Sequence, residues 1–433
     1  MCYAIPGKVK KIESKIAFID YFWEEKKAIN EIDTLKLGDY IYAQGGYVIE
    51  VIPEEEAKEI LSVWKETFFE LQEMDLRLSK LNLEKEGIDK KLINILDRAI
   101  EKGKVSNEEL LYLLNIEGQK EIGLLKKTAN FLRQKYLKNS CCVHGIIEIS
   151  NVCSQDCKYC GISYLNKKIT RYKMTKEEIL ETVHEAVEIY GFKALVLQAG
   201  EGAYLADELY EVIKEIKNKY SVLIFISFGE IGIKGLKKLF EAGARGLLLR
   251  FETSNERIYK DLHPLKSLET RIEHLKKAYE IGYLIITGGL IGLPGQTKED
   301  LLNDILLAKE LNAEMYSFGP FLPHPDTPLK NEQLPGPLEM LKVLAVSRIT
   351  NPENAKILVT TGFETLDKKA REEGLMAGAN SVMLNVTPKI YRKNYSIYPN
   401  RAHEKEPIKE QIDVTLAILR NMGRAPTDLG VNA

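Results

Sequence analysis

Three cysteines, Cys153, Cys157 and Cys160, stand at CxxxCxxC spacing, with Tyr159 just before the last and Gly161 just after it. An apolar, β-branched run, Gly145-Ile-Ile-Glu-Ile-Ser150, comes immediately ahead. A strand is therefore expected to deliver a short loop on which three thiolates converge on one inorganic core. Three thiolates leave one iron of a four-iron cluster without a protein ligand, and an open iron can bind something that reacts. A structural zinc site wants four closed ligands in paired spacing, and no cysteine follows Cys160 to complete a second pair. A disulfide framework does not suit six cysteines in a chain of 433 residues. Cys141 and Cys142 are adjacent, cannot easily face one metal together, and read as core thiols.

The length predicts two to three domains with room for a large core. The formal net charge is −2, from 61 basic and 63 acidic residues, which implies no nucleic-acid partner. No apolar run reaches membrane-spanning length, and the first residues lack the basic and apolar regions of a secretion signal. A cytoplasmic protein with reduced thiols is expected, a setting that suits an oxygen-sensitive cluster.

The elements that must position the cysteines fall into two groups. Up to about residue 53, short strands at Ala17–Tyr21, Tyr40–Ala43 and Tyr47–Val51, with turns at Gly38-Asp39 and Gly45-Gly46, predict a small β barrel. From Glu54 to about Leu83, apolar residues at helical intervals (Ile60, Leu61, Trp64, Phe68, Leu71, Met74, Leu78) predict a long helix, as a cap or a connector. Residues 76–140 are charged and helical, with a helix start near Asn107, and read as linker and entry helices.

From Gly145 the chain alternates. Strands are expected at Gly145–Ser150, Lys193–Gln198, Val222–Ser227, Gly246–Phe251, Tyr283–Leu290, Met315–Gly319, Ile357–Thr361 and Ser381–Asn385. Helix starts at Thr175…Glu178 and Thr297…Asp300, and glycines 191, 243 and 282 at helix ends, punctuate the series. Eight strand–helix units predict an α/β fold, a (β/α)8 barrel over about residues 141–400, with a C-terminal helix and tail in 401–433. The chemistry of such barrels lies at the carboxyl ends of the strands, where Cys153 follows the first. Other polar residues recur there: Gln198 and Glu201, Glu230, Arg250 and Glu252, Gly292, Thr360 and Thr361, and Asn385, with Tyr395 and Tyr398 beyond.

The cysteine spacing with its aromatic resembles the signature of the radical S-adenosylmethionine (SAM) superfamily, in which the open iron chelates the amine and carboxylate of SAM. Residues 88–400 resemble the HydE group of that superfamily, with biotin synthase and methylornithine synthase as more distant relatives. The matching pieces include Gly292-Leu-Pro-Gly-Gln-Thr297, Gly319-Pro-Phe-Leu-Pro-His324-Pro-Asp326 and Asn385-Val-Thr-Pro388. The resemblance implies one [4Fe-4S] cluster on Cys153, Cys157 and Cys160, and SAM held by Gln198, Glu252 and Arg271 with Arg250 nearby. Glu201, Glu230 and Gly292 are further candidates on the cofactor side. It also implies a substrate cavity lined by Met315, Thr360, Thr361, Met383, Tyr395 and Tyr398. The family pattern favours Arg where this chain has His144 and Gly246, His at Phe251 and Ser at Ala199. Two missing guanidinium groups weaken carboxylate capture, with His144 and Arg245 as the nearest replacements. The cysteines of an auxiliary cluster near the C-terminus are absent.

At the other end, Met1-Cys2-Tyr-Ala-Ile-Pro-Gly7-Lys-Val9 resembles the opening of the HypC/HupF family of hydrogenase-maturation chaperones, over about residues 1–75. In that family the second residue ligates an iron centre, which implies a mononuclear iron on Cys2; His is usual where this chain has Gln44. Together the two resemblances imply a radical SAM enzyme that cleaves SAM reductively to a 5′-deoxyadenosyl radical, acting on a small organometallic substrate in assembly of a hydrogenase-type iron cofactor. An electron donor such as ferredoxin or flavodoxin, and other hydrogenase-maturation proteins, would be partners. Two other readings stand beside it: a radical SAM enzyme of the same fold acting on a free amino acid, and a metal-carrying scaffold that does no chemistry.

Overall fold

The computed structural model describes residues 5–22, 24–81 and 86–430, so Cys2 and its expected iron lie outside the described residues. Five strands close a small barrel: β1 (Gly7–Glu13), β2 (Ile16–Tyr21), β3 (Glu24–Ile29), β4 (Tyr40–Gln44) and β5 (Tyr47–Ile52), in the order β1-β2-β3-β5-β4. The strands β1 and β3 were not expected from the sequence. Their outward positions carry Lys and Glu, and only residues such as Val9 and Ala28 are buried, so the apolar alternation is diluted. Helix α1 (Glu54–Leu78) then lays Trp64, Phe68 and Leu71 into the core of this barrel, so the aromatic stripe is packing. At its far end α1 also connects, through Asp75.

Three helices, α2 (Lys90–Lys102), α3 (Asn107–Asn115) and α4 (Gln119–Leu137), lead into β6 (Ser140–Ser150). Parallel strands β7 (Ala194–Ala199), β8 (Leu223–Ser227), β9 (Gly246–Leu248), β10 (Leu284–Thr287), β12 (Met315–Tyr316), β14 (Lys356–Val359) and β15 (Ser381–Asn385) follow. Pairing of β15 with β6 closes these eight strands into a barrel. Every strand expected from the alternation is present, Ser381–Asn385 with the expected bounds and the others with one or both ends shifted. β6 starts five residues early and includes Cys141 and Cys142. Two expected strands split: β11 (Leu290–Ile291) and β13 (Gly319–Pro320) leave the barrel wall and pair with each other above it. Capping boxes form at Thr175 and Thr297, and glycines 191, 243 and 282 take positive φ, as their positions at helix ends require. Among the described residues, no helix is long and apolar enough to cross a membrane.

The side chains of β6 alternate between two cores. Cys141, Val143, Ile147 and Ile149 face the surrounding helices. Cys142 and Ile146 face the barrel interior with Ala194, Val196, Leu223, Phe225, Ile286, Met315, Leu358 and Met383. Tyr47 of the small barrel joins that interior cluster. The β4–β5 turn is pressed against the amino-terminal floor of the large barrel. A Cβ on Gly45, whose φ is +55°, would stand 2.7 Å from Leu223 Cδ2 and 2.8 Å from Leu284 Cδ1. Around this plug, Tyr47 Oη donates to Gly282 O at 3.2 Å, Arg245 pairs with Glu31 at 3.0 Å, and Lys193 pairs with Glu50 at 3.4 Å. After a helix at Ile408–Asn421, the chain end forms β16 (Ala425–Pro426), which lies parallel to the start of β6.

One buried carboxylate ties three segments together. Asp75 accepts 2.7 and 2.8 Å hydrogen bonds from the two terminal nitrogens of Arg133 on α4, and Arg424 Nε lies 3.1 Å away. All three side chains are almost fully buried. Replacing Asp75 with Ala strands two guanidinium groups without a counter-charge, a loss of about 3–5 kcal/mol. Chemical denaturation of D75A is expected to show a midpoint displaced to lower denaturant by that amount, with both domains affected.

Candidate active site

The loop after β6 is held from outside by one side chain. Arg171 donates to the carbonyls of Asn151 (2.6 Å), Ile162 (2.7 Å), Ser163 (2.7 Å) and Asn166 (3.1 Å), so a single guanidinium spans the cysteine segment. The loop backbone also bonds to its surroundings: Ser154 N to Glu201 O, Lys158 N to Leu262 O, Gly161 N to Ile397 O, and His324 N to Tyr159 O. Gly161 is required by this closeness, since a Cβ there would fall 2.1 Å from Ser396 O. Tyr159 Oη lies 3.1 Å from His263 Nε2, while His263 Nδ1 lies 3.1 Å from Tyr259 O. Burial pushes the His263 pKa down to about 3, so the ring is neutral, donating to the carbonyl and accepting from the phenol.

Cys153, Cys157 and Cys160 all lie in this loop and are partly buried. Burial raises each thiol pKa, that of Cys160 to about 12, and the neighbouring sulfurs raise Cys157 and Cys160 further. As bare thiolates they would repel one another in a poorly solvated loop, so positive metal charge is the natural complement. Among the described residues, the one Cys, His and carboxylate group close enough to share a single ion lies elsewhere. The three sulfurs do not all lie within 4.8 Å of one another, and three thiolates on one loop are a donor set that fits a [4Fe-4S] cluster.

A cavity of about 250 Å³ opens beside Cys160. Tyr159, Gln198, Arg250, Glu252, Ser317 and Gly319 line it together with Thr360, Thr361, Asn385 and Tyr398. Its apolar lower wall includes Ile146, Leu248, Leu358 and Met383. Glu252 takes a left-handed φ of +68°, and its Oε2 lies 3.1 Å from Arg250 Nη2. Its carboxylate lines the cavity with that guanidinium beside it, and carboxylate oxygens have further acceptor positions, so this residue fits the amine of SAM.

The remaining sequence candidates divide by place. Glu201, Glu230 and Arg271 stand outside the cavity wall in an ion cluster. Lys266 lies 2.5 Å from Glu201 and 3.0 Å from Glu230, and Arg271 Nε donates to Glu230 at 2.5 Å. Arg271 Nη1 also donates to Arg250 O at 2.7 Å, so it braces the segment that carries Arg250 and Glu252. Gly292 is in a loop beside Pro335, its N–H donating to Gln296 Oε1. Met315 is in the lower barrel core, where its sulfur accepts from Ser381 Oγ at 3.4 Å. Tyr395 is buried beside the cavity, its carbonyl accepting from Arg401.

Glu148 and Arg401 line the cavity too, and the sequence reading missed both. Their side chains form a buried ion pair, with Arg401 Nη1 also 3.3 Å from Glu148 Oε2. The available signal was Glu148 itself, an acid inside an otherwise apolar barrel strand. Arg401 carried no local signal, because it lies in a segment read as tail. Lower down, the two positions where the family pattern has Arg meet at one ring. His144 stacks on Phe225 at 5.1 Å, and a Cβ on Gly246 would fall 1.8 Å from the same ring. Arg245 does not replace them. Its guanidinium serves Glu31 and the Phe240 carbonyl at the domain contact, because residue 245 precedes the strand and faces the small barrel.

Comparison with known proteins agrees with this geometry. Residues 147–308 match the Radical SAM superfamily, residues 1–64 the HupF/HypC family, and residues 317–409 the Biotin and Thiamin Synthesis associated domain. The [FeFe] hydrogenase maturase subunit HydE of Thermotoga maritima is 39% identical over 328 residues, covering 76% of this chain and 93% of the relative. The 3-methylornithine synthase of Methanosarcina acetivorans is 30% identical, covering 66% and 81% respectively. A crystal structure of methylornithine synthase superposes with a TM-score of 0.66 at 25% identity, over 77% of this chain and 97% of that one. HydG, a maturase of the [FeFe]-hydrogenase, shares the fold with a TM-score of 0.66 at 22% identity, over 84% and 79%.

Because Arg171 contacts no cysteine sulfur and only fixes the loop, it acts as an outer support of the cluster ligands. R171A is expected to lower cluster retention about 10–100-fold, the usual cost of losing such a support. Iron per chain after anaerobic reconstitution and dilution, read beside a thermal melt that remains cooperative, checks it.

Proposed function

This chain belongs to the radical SAM superfamily, and from that premise we propose a radical SAM enzyme that works in assembly of a hydrogenase-type iron cofactor. The observation that carries the reading is the juxtaposition of the three-thiol loop with a cavity whose near side offers Cys160, Arg250 and the Glu252 carboxylate. A reduced [4Fe-4S] cluster with SAM bound would supply reductive cleavage to methionine and a 5′-deoxyadenosyl radical. Cys153, Cys157 and Cys160 would hold the cluster. Glu252 would accept from the SAM amine, and Arg250, held in place by Arg271, would balance its charge. Gln198, at the end of β7, adds an amide to the same wall.

Across the cavity, Thr360 and Thr361 at a helix start, Tyr398, and the Glu148–Arg401 pair would grip the substrate, above apolar Met383 and Leu358. A small organometallic or sulfur-bearing substrate fits this mixed lining. The hydrogenase-maturase role of the HydE relative and the HupF/HypC match at residues 1–64 both support hydrogenase-cofactor assembly. An iron on Cys2 would bring cargo on the same chain, and a low-potential donor such as ferredoxin or flavodoxin would supply the electron. The second reading, a free amino acid as substrate, draws support from 3-methylornithine synthase. Against it, the Phe225 ring fills the space where paired guanidinium groups would meet a carboxylate.

Anaerobic incubation with SAM and dithionite is expected to release 5′-deoxyadenosine from the wild type, and none above background from Cys157→Ala. Equal product from both overturns the enzyme reading. For the cargo, Mössbauer spectra of iron-57 protein should show one four-iron cluster plus a low-spin mononuclear iron that disappears in Cys2→Ala. Cluster iron alone in both samples, with 5′-deoxyadenosine release stimulated by an amino acid, selects the second reading.

A further inference from the structure

Beneath the cavity the barrel interior contains a second group of metal-ligating side chains. Cys142 Sγ, a ring nitrogen of His144 and a carboxylate oxygen of Asp428 all lie within 4.8 Å of one another, and all three residues are buried. His144 Nε2 is 3.3 Å from Asp428 Oδ2, while His144 Nδ1 is buried with no hydrogen-bond partner. Cys142 and His144 project inward from alternate positions of β6. Asp428 arrives from the chain end just past β16, where Thr427 N donates to Cys141 O and Lys193 N donates to Asp428 O. A strap with no place in the eight-strand barrel thus carries an acid to a thiol and an imidazole.

We propose that Cys142, His144 and Asp428 form a second metal site, for a divalent first-row transition ion of the ferrous or zinc class. The ligand chemistry is a thiolate, an imidazole and a carboxylate, the set such borderline ions accept and magnesium or calcium does not. Binding exchanges the Cys142 thiol proton for the ion, releasing one proton and forming one metal–sulfur bond. The thiolate and the Asp428 carboxylate then balance the double charge. Lys356 nearby does not upset this balance, because it is ion-paired with Glu314. Three protein ligands leave a further position open, as at reactive rather than closed structural sites. In register, His144 lies opposite Met383, which lines the cavity above, and the Gly45 turn closes the floor below. The ion would therefore sit between the radical cavity and the small barrel. Gln44, beside that turn, is fully buried, and among the described residues neither of its amide atoms has a hydrogen-bond partner.

The rival account is a buried His144–Asp428 pair with Cys142 as packing. Full-length protein carrying Cys153→Ser, Cys157→Ser and Cys160→Ser, stripped with chelator, removes cluster absorption and allows titration with cobalt(II) as the probe. The expected result is one cobalt per chain with a near-ultraviolet thiolate-to-cobalt band and visible tetrahedral bands. The bands disappear in Cys142→Ala, shift or weaken in Asp428→Asn, and persist in Cys2→Ala. Absence of the bands overturns the site, as does a spectrum indifferent to Cys142 and Asp428 but lost with Cys2. If Cys142→Ala does not fold, Asp428→Asn and His144→Gln decide the question, since neither removes a thiol and both should alter the spectrum. Elemental analysis of Cys2→Ala protein with its cluster, which lacks the iron expected on Cys2, then distinguishes the sources: one zinc per chain, or one iron beyond the cluster iron. Neither metal in excess under anaerobic iron and zinc supply also overturns the site.

Discussion

Four carbonyls bonded to the Arg171 guanidinium are the constraint on which the rest of the site depends. The loop carries three thiols that resist ionisation, and its apolar anchors are few: Ile162 is buried and Tyr159 packs against the cluster around Phe321. The guanidinium adds directed, charge-assisted bonds to that packing. Because those bonds go to backbone rather than sulfur, the thiols remain available to metal. Tyr159 and neutral His263 complete the frame on the far side, with Cys160 at the cavity wall.

β6 then divides the labour of the large barrel. Its outward residues pack on helices, while its inward residues descend from Glu148 at the cavity, through Ile146, to His144 and Cys142 at the floor. One strand therefore delivers the cluster loop, half of the cavity's buried ion pair and two ligands of the lower cluster. The lower barrel has been rebuilt relative to the family pattern. Phe225 occupies the volume beside Gly246 and stacks on His144, which exchanges anion capture for aromatic packing and a histidine paired with acid. The departures from the family pattern thus gather at the floor of the barrel, away from the cysteine loop.

The two barrels are coupled by shape as much as by charge. A glycine turn fits between Leu223 and Leu284 because no Cβ is present, and the Glu31–Arg245 and Glu50–Lys193 pairs sit at its rim. Rim pairs of this exposure contribute little by themselves. The Asp75–Arg133–Arg424 cluster is different, because its charges are fully enclosed and joined to three distant parts of the chain. Its geometry fixes α1, α4 and the C-terminal strap relative to one another, and through the strap it fixes Asp428.

The amino-acid sequence alone determined the three-cysteine loop, the eight strand–helix units and the placing of Gln198, Arg250, Glu252, Thr360 and Thr361 at strand ends, because spacing and periodicity are local properties. Charged faces hid β1 and β3, whose burial depends on barrel closure rather than on strong alternation. Tertiary structure decided that Arg271, Glu201 and Glu230 brace one another behind the cavity wall. It also brought Arg401 to Glu148 across 253 residues of chain, and Asp428 to Cys142 and His144. No local pattern marks such partners. A guanidinium or carboxylate in a terminal segment looks solvent-facing until the fold removes the solvent and supplies a counter-charge.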